Sequence, residues 1–416
     1  MNSVAPLSRP FPLDRSPRPI KEKERIVTID VLRGFALLGI LPMNIQSFSM
    51  ILAAYFNPTA YGDLHGANYW LWMLSHVLID EKFMTIFSML FGAGILLMTG
   101  RIEASGRSSA ALHYRRMGWL ILFGMLHGYL LWCGDILFDY GACGLLAYLF
   151  RRLRPRTLLI LALLSISMVP IVLVLSGQRI SHATPAQLQA LNESWKPPAP
   201  EVAREVAAYR GSWLTQMTYR MPQAVRMEAT AFVFRIFGLM LAGMALFKLG
   251  FFSGRPSPKI CWALIAVALF VGIPVTVYGV RRDFADGWDA RFSIFHGLLY
   301  NYWASFLVSA GWIGLVMLAS QAAALTAVTK RFAAVGRMAF TNYIMHSVIC
   351  TTIFYGHGLA LFGKVERTGQ FGIVVAIWIF QLTISPIWLR HFQFGPLEWL
   401  WRSLTYWQWE PLRRSG

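Results

Sequence analysis

Long blocks of apolar residues, separated by short polar and basic stretches, dominate this chain. A helix needs roughly 20 residues, at about 1.5 Å each, to cross a ~30 Å hydrocarbon layer, and most of the blocks approach that length. The pattern therefore predicts an all-α, polytopic integral membrane protein with about ten transmembrane helices. Breaks at proline, glycine and charge clusters place the spans at 30–52, 69–99, 117–132, 136–150, 157–176, 229–247, 260–280, 293–320, 338–356 and 370–389.

One extended polar region divides the ten spans into five and five. Its alanine-rich, periodic stretches favour short amphipathic helices at the membrane interface, although a plain connecting loop fits the same composition equally well. We therefore expect the following organisation: a disordered basic cytoplasmic tail at 1–28, a first helical half at 29–177, an extracytoplasmic polar loop at 178–228, a second helical half at 229–392 and a cytoplasmic C-terminal segment at 393–416.

The distribution of basic residues indicates the orientation of the spans. The short loops at 101–116 and 151–156 are rich in arginine, whereas the first two loops on the opposite side contain no lysine or arginine. The positive-inside rule then predicts that both termini are cytoplasmic, in a bacterial inner membrane. The first apolar run contains Arg33 and no small-residue cleavage site follows it, so we expect a retained helix.

Composition narrows the class of protein further. The chain is 56% hydrophobic and 14% charged, with a mean hydropathy of +0.49 and a net charge of +18. Because the basic residues are scattered over many loops, we expect them to contact anionic lipid headgroups and not nucleic acid. The four cysteines lie in or beside apolar spans without metal-ligand spacing, so we expect free thiols and no metal site. The sequence also lacks phosphate-loop, dinucleotide, zinc-protease and serine-hydrolase motifs.

Ionisable side chains inside spans are candidate functional residues, because burying a charge in lipid is costly. In the second span, His76 and Asp80 are four residues apart on one helix face, so the carboxylate could orient the imidazole. Lys82 would point elsewhere and could pair with an acidic neighbour. The competing interpretation of this group is a buried ion-pair network that fixes helix register.

The third span and its outer turn supply a second candidate. His127 lies about two turns from the outer end, Asp135 follows in a Gly-Asp turn, and Trp132 lies between them. A histidine next to a carboxylate is the minimum requirement for a general base, although such a histidine can also be merely hydrogen-bonded. Arg116 begins this span at the cytoplasmic face, either as a topology anchor or as an anion ligand.

Two further polar groups lie near the ends of spans. Asp30 and Arg33 are three residues apart near the inner surface, where Arg33 could neutralise Asp30 or hold a phosphate or carboxylate. Asn44 follows Arg33 by eleven residues. In the ninth span, Arg337 and Asn342 are the polar residues that we consider for substrate binding.

The segments Asp30–Ile40, Phe87–Gly94, His127–Leu137 and Phe394–Tyr406 resemble the YeiB-like bacterial membrane proteins, domain-of-unknown-function family 418. The resemblance runs over nearly the whole chain, and we assign the family's domain to the second helical half. The first-span pattern is also similar to the transmembrane acyltransferase superfamily. That similarity implies a ten-helix core and transfer of an acyl group from cytoplasmic acyl-CoA to a carbohydrate.

The acyltransferase pattern does not carry over completely. In the sugar-acetylating branch a histidine follows the first-span arginine by eleven residues, but that position is Asn44 here. His127 or His76 would have to replace it as the base, oriented by Asp135 or Asp80. The resemblance thus implies acyl-CoA as a donor substrate, with no bound cofactor, and a small-molecule or glycan acceptor. Arg33, Arg116 and Lys82 would hold the CoA phosphates or polarise the thioester.

Two hypotheses therefore remain open at this stage. The first is a membrane acyltransferase-like protein that modifies an envelope glycan or a lipid-linked sugar. The second is a secondary transporter or exporter in which Asp80, Lys82 and Glu228 form an intramembrane relay. A basic cytoplasmic pocket leading toward His127 or His76 would favour the first hypothesis.

Overall fold

The computed structural model describes residues 26–228, 232–252, 254 and 256–414. Most of the predicted basic tail lies outside these residues. Within the described part of the chain the regular structure is helical, apart from a single bridge between Phe392 and Arg413. The fold is therefore all-α, as the hydrophobic pattern predicts.

The first half of the chain forms seven helices. They are α1 (Val27–Ser49), α2 (Leu52–Phe56), α3 (Gly66–Leu78), α4 (Lys82–Ala104), α5 (Ala110–Leu130), α6 (Leu137–Ala147) and α7 (Pro155–Ile180). A 3₁₀ turn at Tyr148–Phe150 extends α6. Three helices occupy the polar segment before the second half: α8 (Pro185–Trp195), α9 (Ala199–Arg210) and α10 (Trp213–Glu228).

The second half begins with α11 and ends with a short C-terminal helix. Its helices are α11 (Phe232–Lys248), α12 (Pro258–Val267), α13 (Ile273–Ala285), α14 (Ala290–Phe292), α15 (Leu298–Gln321), α16 (Thr326–Arg337), α17 (Ala339–Phe354), α18 (Arg367–His391) and α19 (Pro396–Tyr406). The π-helical turns Ala268–Gly272 and Ser293–Gly297 connect α12 to α13 and α14 to α15.

Six helical segments among the described residues are long and apolar enough to cross a membrane. They are Val27–Ser49, Gly66–Ala104, Pro155–Ile180, Pro258–Ala285, Ala290–Gln321 and Arg367–His391. The other predicted spans coincide with α5, α6, α11 and α17, which are helical but shorter or less apolar. The chain is thus a multi-pass membrane protein.

The outer faces of the peripheral helices carry large apolar side chains that are mostly exposed. Ile160 and Leu164 on α7 are 61% and 60% exposed, Phe270 beside α12 is 80% exposed, and Ile379 on α18 is 62% exposed. A continuous apolar surface of this kind is not stable in water. It marks the faces that contact lipid acyl chains.

Glycines allow the central helices to approach closely. A Cβ added to Gly34 of α1 would lie 2.0 Å from the carbonyl oxygen of Phe332, and one added to Gly336 would lie 1.9 Å from the carbonyl oxygen of Asp30. In the same way, Gly92 of α4 and Gly243 of α11 face each other's backbones. Small residues at crossing points are the usual way in which membrane helices pack.

The second predicted span coincides with the candidate membrane span Gly66–Ala104, but it is interrupted and is not one continuous helix. It breaks at Ile79–Glu81, between α3 and α4, where Glu81 takes a left-handed conformation with φ of 64°. Hydropathy averages over the break because apolar residues flank it on both sides. The interruption places Asp80 and Glu81 on irregular backbone, directly before Lys82 at the start of α4. Membrane proteins tolerate such backbone only where protein or water surrounds it.

Candidate functional site

A cavity of about 320 Å³ lies inside the bundle at the end where α1 begins. We call it the arginine cavity, because five arginines line it against two acidic residues, Asp30 and Glu398. The Arg33 side chain is 28% exposed and contacts the Asp30 carboxylate at 3.2 Å. This excess of guanidinium groups suits an anionic ligand. The five are Arg33, Arg101, Arg116, Arg337 and Arg402.

The C-terminal helix α19 forms one wall of the arginine cavity. Gly395 is its N-cap residue and Pro396 occupies its first turn, where a missing N–H costs nothing. Glu398, Trp401 and Thr405 recur at helical spacing and all line the cavity. The Trp401 indole donates to the backbone carbonyl of Arg116 at 2.9 Å, and the Arg116 guanidinium lies 4.2 Å from the centre of the Trp401 ring. These contacts fix α19 against α5.

Glu398 caps the beginning of α17. Its carboxylate accepts the backbone N–H groups of Phe340 and Thr341 at 2.6 and 3.0 Å, and the Thr341 hydroxyl at 2.6 Å. Burial nevertheless raises the pKa of Glu398 above its ordinary value. This carboxyl group is therefore committed to the terminus of α17.

The part of the cavity farther from the arginines is apolar. Leu37, Leu90, Phe91 and Leu120 line it, and its inner end includes Tyr140 and Tyr343. A ligand with an anionic head and an apolar tail matches this division.

A chain of three hydrogen-bonded side chains lies directly behind the inner end of the cavity. His127 Nδ1 is 2.7 Å from an Asp135 carboxylate oxygen, and His127 Nε2 is 2.7 Å from the Ser347 hydroxyl. The second carboxylate oxygen of Asp135 accepts the Phe138 backbone N–H at 2.8 Å at the start of α6. The Tyr343 ring, which lines the inner end of the cavity, lies 5.2 Å from the His127 ring.

Helix α5 ends just after His127, the turn to α6 supplies Asp135, and α17 supplies Ser347. A carboxylate on Nδ1 fixes the tautomer in which Nε2 accepts a proton. The arrangement can therefore act as a general base. Both the histidine and the aspartate side chains are almost completely buried.

The broken helix holds a second polar group. His76 Nδ1 lies 3.1 Å from the Asp80 carboxylate, and the Asn301 amide donates to Asp80 at 3.0 Å. Lys82 is fully buried and donates to the Asn301 carbonyl oxygen and, at 2.7 Å, to the His76 backbone carbonyl. The ammonium of Lys82 thus binds a carbonyl that the end of α3 leaves unpaired.

Arg235 of α11 joins this group from the other side. Its guanidinium donates to Glu81 at 2.9 Å, to Thr85 at 3.0 Å and to Ser305 at 2.7 Å. It also lies 4.4 Å from the centre of the Tyr302 ring. The ion pair between these helices therefore joins Arg235 to Glu81. The sequence had suggested instead that Lys82 would pair with an acidic residue of a neighbouring helix.

The structure brings together some of the predicted site residues and separates others. Asp30, Arg33, Arg116 and Arg337 line the arginine cavity, and His127 pairs with Asp135 behind it. His76, Asp80 and Lys82 form the separate group at the broken helix. The remaining three, Asn44, Trp132 and Asn342, do not line the cavity.

Two of these three have clear local roles. Trp132 stacks on Phe48 at 4.1 Å, in an apolar cluster away from the cavity. The Asn342 side-chain amide donates to the Ser385 hydroxyl at 3.1 Å. The Gln381 side-chain amide donates to the backbone carbonyl of Asn342, and its oxygen pairs with His346. These bonds hold α17 against α18.

Sequence reasoning missed Ser347, Arg101, Arg402 and Trp401 as site residues. A serine in an apolar helix carries no signal of its own, since most such serines bond to their own backbone. Arg101 and Arg402 resemble ordinary cytoplasmic anchors. The distinctive sequence of α19 is the signal that could have found Arg402 and Trp401. It carries part of the family resemblance, but no site residue is predicted in it.

Comparison with known proteins bears on these same elements. Residues 246–408 match the family model described as "Protein of unknown function (DUF418)", from the end of α11 through α19. Over nearly its full length the chain is 33% identical to the uncharacterized protein YxaH of Bacillus subtilis strain 168, across 96% of this chain and 98% of that protein. The chain belongs to the DUF418 family.

A second relative gives similar coverage. The uncharacterized protein YeiB of Escherichia coli strain K12 is 30% identical over 92% of this chain and 96% of its own length. The similarity to these two relatives therefore covers both halves of the bundle. The family match itself contains Arg337, Ser347, Glu398 and Trp401, four of the residues at the cavity or behind it.

Proposed function

We propose that this DUF418 protein is a membrane acyltransferase-like protein that binds cytoplasmic acyl-CoA in the arginine cavity. The acyl group would pass to an envelope glycan or a lipid-linked acceptor. One observation carries the proposal: an arginine-rich cavity with an apolar inner part ends at Tyr343, directly beside a histidine paired with a carboxylate. The combination supplies anion binding, space for an acyl chain and a candidate base.

The proposal includes an orientation in the membrane. Both termini are cytoplasmic in a bacterial inner membrane with ten spans, so the arginine cavity opens toward the cytoplasm and α8, α9 and α10 lie outside. The basic loops between spans support this orientation. Acyl-CoA is a cytoplasmic metabolite, so in this orientation the arginine cavity opens toward the compartment that contains it.

The cavity chemistry matches the parts of acyl-CoA. Guanidinium groups bind phosphate oxygens through paired hydrogen bonds, so Arg33, Arg116 and Arg402 would hold the phosphates. A volume of about 320 Å³ is near the lower end of the roughly 300–1,000 Å³ common for ligand pockets. It suits an acyl-pantetheine arm inside, with the nucleotide at the opening. The apolar wall around Leu37 and Leu120 would then contact the acyl chain.

His127 is the base in this scheme. Asp135 holds its tautomer and would stabilise the imidazolium that forms when Nε2 removes a proton from the acceptor hydroxyl. His76 is the weaker choice, because it belongs to the group at the broken helix, whereas His127 lies next to Tyr343, which lines the cavity. Rotation of the Tyr343 ring would open the path from the cavity to His127.

The test uses the full chain purified in lipid nanodiscs with radiolabelled acetyl-CoA. We expect saturable binding, and release of CoA that His127→Ala abolishes. Replacing Arg33 or Arg402 by alanine should weaken binding about tenfold or more, since a charge-assisted hydrogen bond contributes about 1.5–3 kcal/mol. Arg204→Ala is the matched control, because that arginine is exposed on α9 and pairs only locally with Glu201. No binding of acetyl-CoA would contradict the proposal.

A second candidate, a secondary transporter or exporter, is favoured by the broken helix. Discontinuous helices with charged residues at mid-membrane depth are typical of transporter sites. Asp80, Lys82 and Arg235 meet there, but the side chain of Glu228, the third member of the relay suggested by sequence, lies outside the described part of the chain. Proton-driven uptake or release in proteoliposomes, lost in Asp80→Asn and retained in His127→Ala, would favour transport over acyl transfer.

A further inference from the structure

Ser347 occupies the position of a nucleophile in a three-residue relay. Its hydroxyl is 2.7 Å from His127 Nε2, and the opposite ring nitrogen of His127 is 2.7 Å from Asp135. Ser347 is 1% exposed and His127 is 2% exposed. A hydroxyl on one imidazole nitrogen and a carboxylate on the other is the arrangement by which unrelated enzymes activate a serine.

We infer that Ser347 accepts the acyl group covalently before the acceptor does. The inference rests on the proposed function, and it goes further by dividing the transfer into two steps with an acyl-serine intermediate. It also changes the first partner of His127, which would remove the proton of Ser347 and not that of a bound acceptor.

The relay is unusual among the histidines of this chain. Within the described residues, His346 pairs with Gln381, His113 with the Gly144 carbonyl and His357 with Gln216. In each of these pairs an amide or carbonyl oxygen satisfies the hydrogen bonding of one ring nitrogen, and no carboxylate is involved. Among the described histidines, only His127 has a carboxylate on one nitrogen and a hydroxyl on the other.

The position of Ser347 connects the relay to the arginine cavity. Tyr343 lies four residues earlier on α17, so the two side chains share one helix face. Tyr343 lines the inner end of the cavity, as do Ile136 and Leu137, which directly follow Asp135. Tyr343 is therefore a residue that lines the cavity and also contacts the relay through His127.

The chemistry balances without a further reagent. The Ser347 oxygen attacks the thioester carbonyl carbon, a C–O bond forms, and the C–S bond of acyl-CoA breaks. His127 takes the hydroxyl proton and delivers it to the departing thiolate, which leaves as CoA. The acceptor hydroxyl then attacks the acyl-serine with His127 as base, and the proton returns to the Ser347 oxygen.

The experiment traps the intermediate on the full chain in nanodiscs. Protein is incubated with radiolabelled acetyl-CoA in the absence of acceptor, denatured and digested, and the modified peptide is located by mass spectrometry. A fluorophosphonate probe, which reacts with activated serines, is applied in parallel and needs no acyl-CoA. We expect both reagents to modify Ser347 and neither to modify Ser347→Ala or His127→Ala.

Two variants separate a chemical role from a structural one. Ser347→Cys keeps a nucleophile of similar size, and its thioester is cleaved by neutral hydroxylamine, whereas the acyl-serine of the natural protein resists it. Ser49→Ala is the control, because Ser49 is equally buried but donates to the backbone carbonyls of Ile45 and Gln46 in its own helix. Thermal unfolding of each variant shows whether it is folded.

The outcomes distinguish this inference from the proposed function. If acetyl-CoA is turned over but Ser347→Ala retains turnover within about tenfold, Ser347 is not the nucleophile and direct transfer by His127 stands. If acetyl-CoA does not bind, the proposed function fails, and the fluorophosphonate arm decides the fate of Ser347 alone. Labelling at Ser347 that depends on His127 then supports an activated serine, and its absence overturns the inference. Loss of an essential nucleophile should lower turnover by about 10³-fold or more.

Discussion

Arg235 and Glu81 form an ion pair at 2.9 Å in the break between α3 and α4, where the guanidinium is completely buried. Arg235 also donates to Thr85 and Ser305, so one side chain from α11 holds the interrupted backbone and α15 together. An uncompensated charge in such a place is far more costly than the pair is stabilising. The geometry of the broken helix therefore depends on this arginine.

We expect Arg235→Met to lower the free energy of unfolding by about 3–5 kcal/mol, because it leaves the Glu81 carboxylate without its partner. Thermal unfolding in detergent measures the change. The double variant with Glu81→Gln should recover part of the loss, since no charge then remains unpaired. Arg282→Ala is the control, because its guanidinium is 45% exposed beside Asp286. Equal stability of Arg235→Met and the natural protein would contradict this role.

The crossing of α1 and α16 gives a second prediction. Gly34→Ala places a methyl group 2.0 Å from the Phe332 carbonyl oxygen, which no side-chain movement can relieve. We expect the helices to separate and the unfolding free energy to fall by about 1–3 kcal/mol. Gly372→Ala is the matched control, because that glycine lies within α18 with nothing within 4 Å of the added Cβ. Its replacement should be neutral or slightly stabilising.

The same crossing also positions the candidate site. Asp30 and Arg33 precede Gly34 on α1, and Arg337 follows Gly336 on α16, so separating the two helices would displace residues that line the arginine cavity. Gly34→Ala should therefore weaken acetyl-CoA binding as well as stability, whereas Gly372→Ala should affect neither. Unchanged binding with a large loss of stability would show that the crossing does not shape the cavity.

Hydropathy and helix spacing predict the helices better than the site. Apolar runs are enough to place helices such as α1, α7 and α18, because lipid requires each spanning segment to satisfy its own backbone. Spacing within one segment also pairs His127 with Asp135. In contrast, mean hydropathy does not reveal the break before Lys82, because apolar residues surround it. The polar groups at the break pair with Arg235 and Asn301, which lie on helices distant in sequence.

The arginine cavity could not be predicted for a related reason. Arg101, Arg116 and Arg402 each have the sequence context of a cytoplasmic anchor. A single sequence does not indicate that α4, α5 and α19 pack against each other. Ser347 required the same knowledge, since its bond to His127 spans two helices that are far apart in sequence. Local patterns determine the elements, whereas the site is formed by tertiary packing.

The proposed orientation predicts which loops a membrane-impermeant maleimide reaches. The four native cysteines are buried, so the natural protein should react weakly in native membranes. Ser194→Cys, exposed on α8, should be labelled in intact spheroplasts. Ser108→Cys, exposed between α4 and α5, should be labelled only after lysis. The opposite labelling pattern would invert the topology, and the arginine cavity would then open away from the cytoplasm.

Glu205 predicts a pH dependence in the segment that joins the two halves. It lies on α9, is 6% exposed, and accepts the Leu52 backbone N–H at 2.9 Å. Burial raises the pKa of Glu205 above its ordinary value. The folded state therefore holds this proton more tightly than the unfolded state. The resulting stability is fully present at low pH and is lost as pH rises through the raised pKa.

We expect Glu205→Gln to be more stable than the natural protein at pH 7.5, because glutamine keeps an acceptor for Leu52 without the buried charge. The difference should shrink as pH is lowered from 7.5 and Glu205 takes up its proton at its raised pKa. Thermal unfolding of both proteins across this range measures it. Glu201→Gln is the control, since Glu201 is more exposed and pairs with Arg204, and it should show no comparable trend. The opposite result would be a natural protein that becomes more stable than Glu205→Gln as pH rises. It would show that the surroundings of Glu205 favour its charged form, so that burial is not the dominant influence on its pKa.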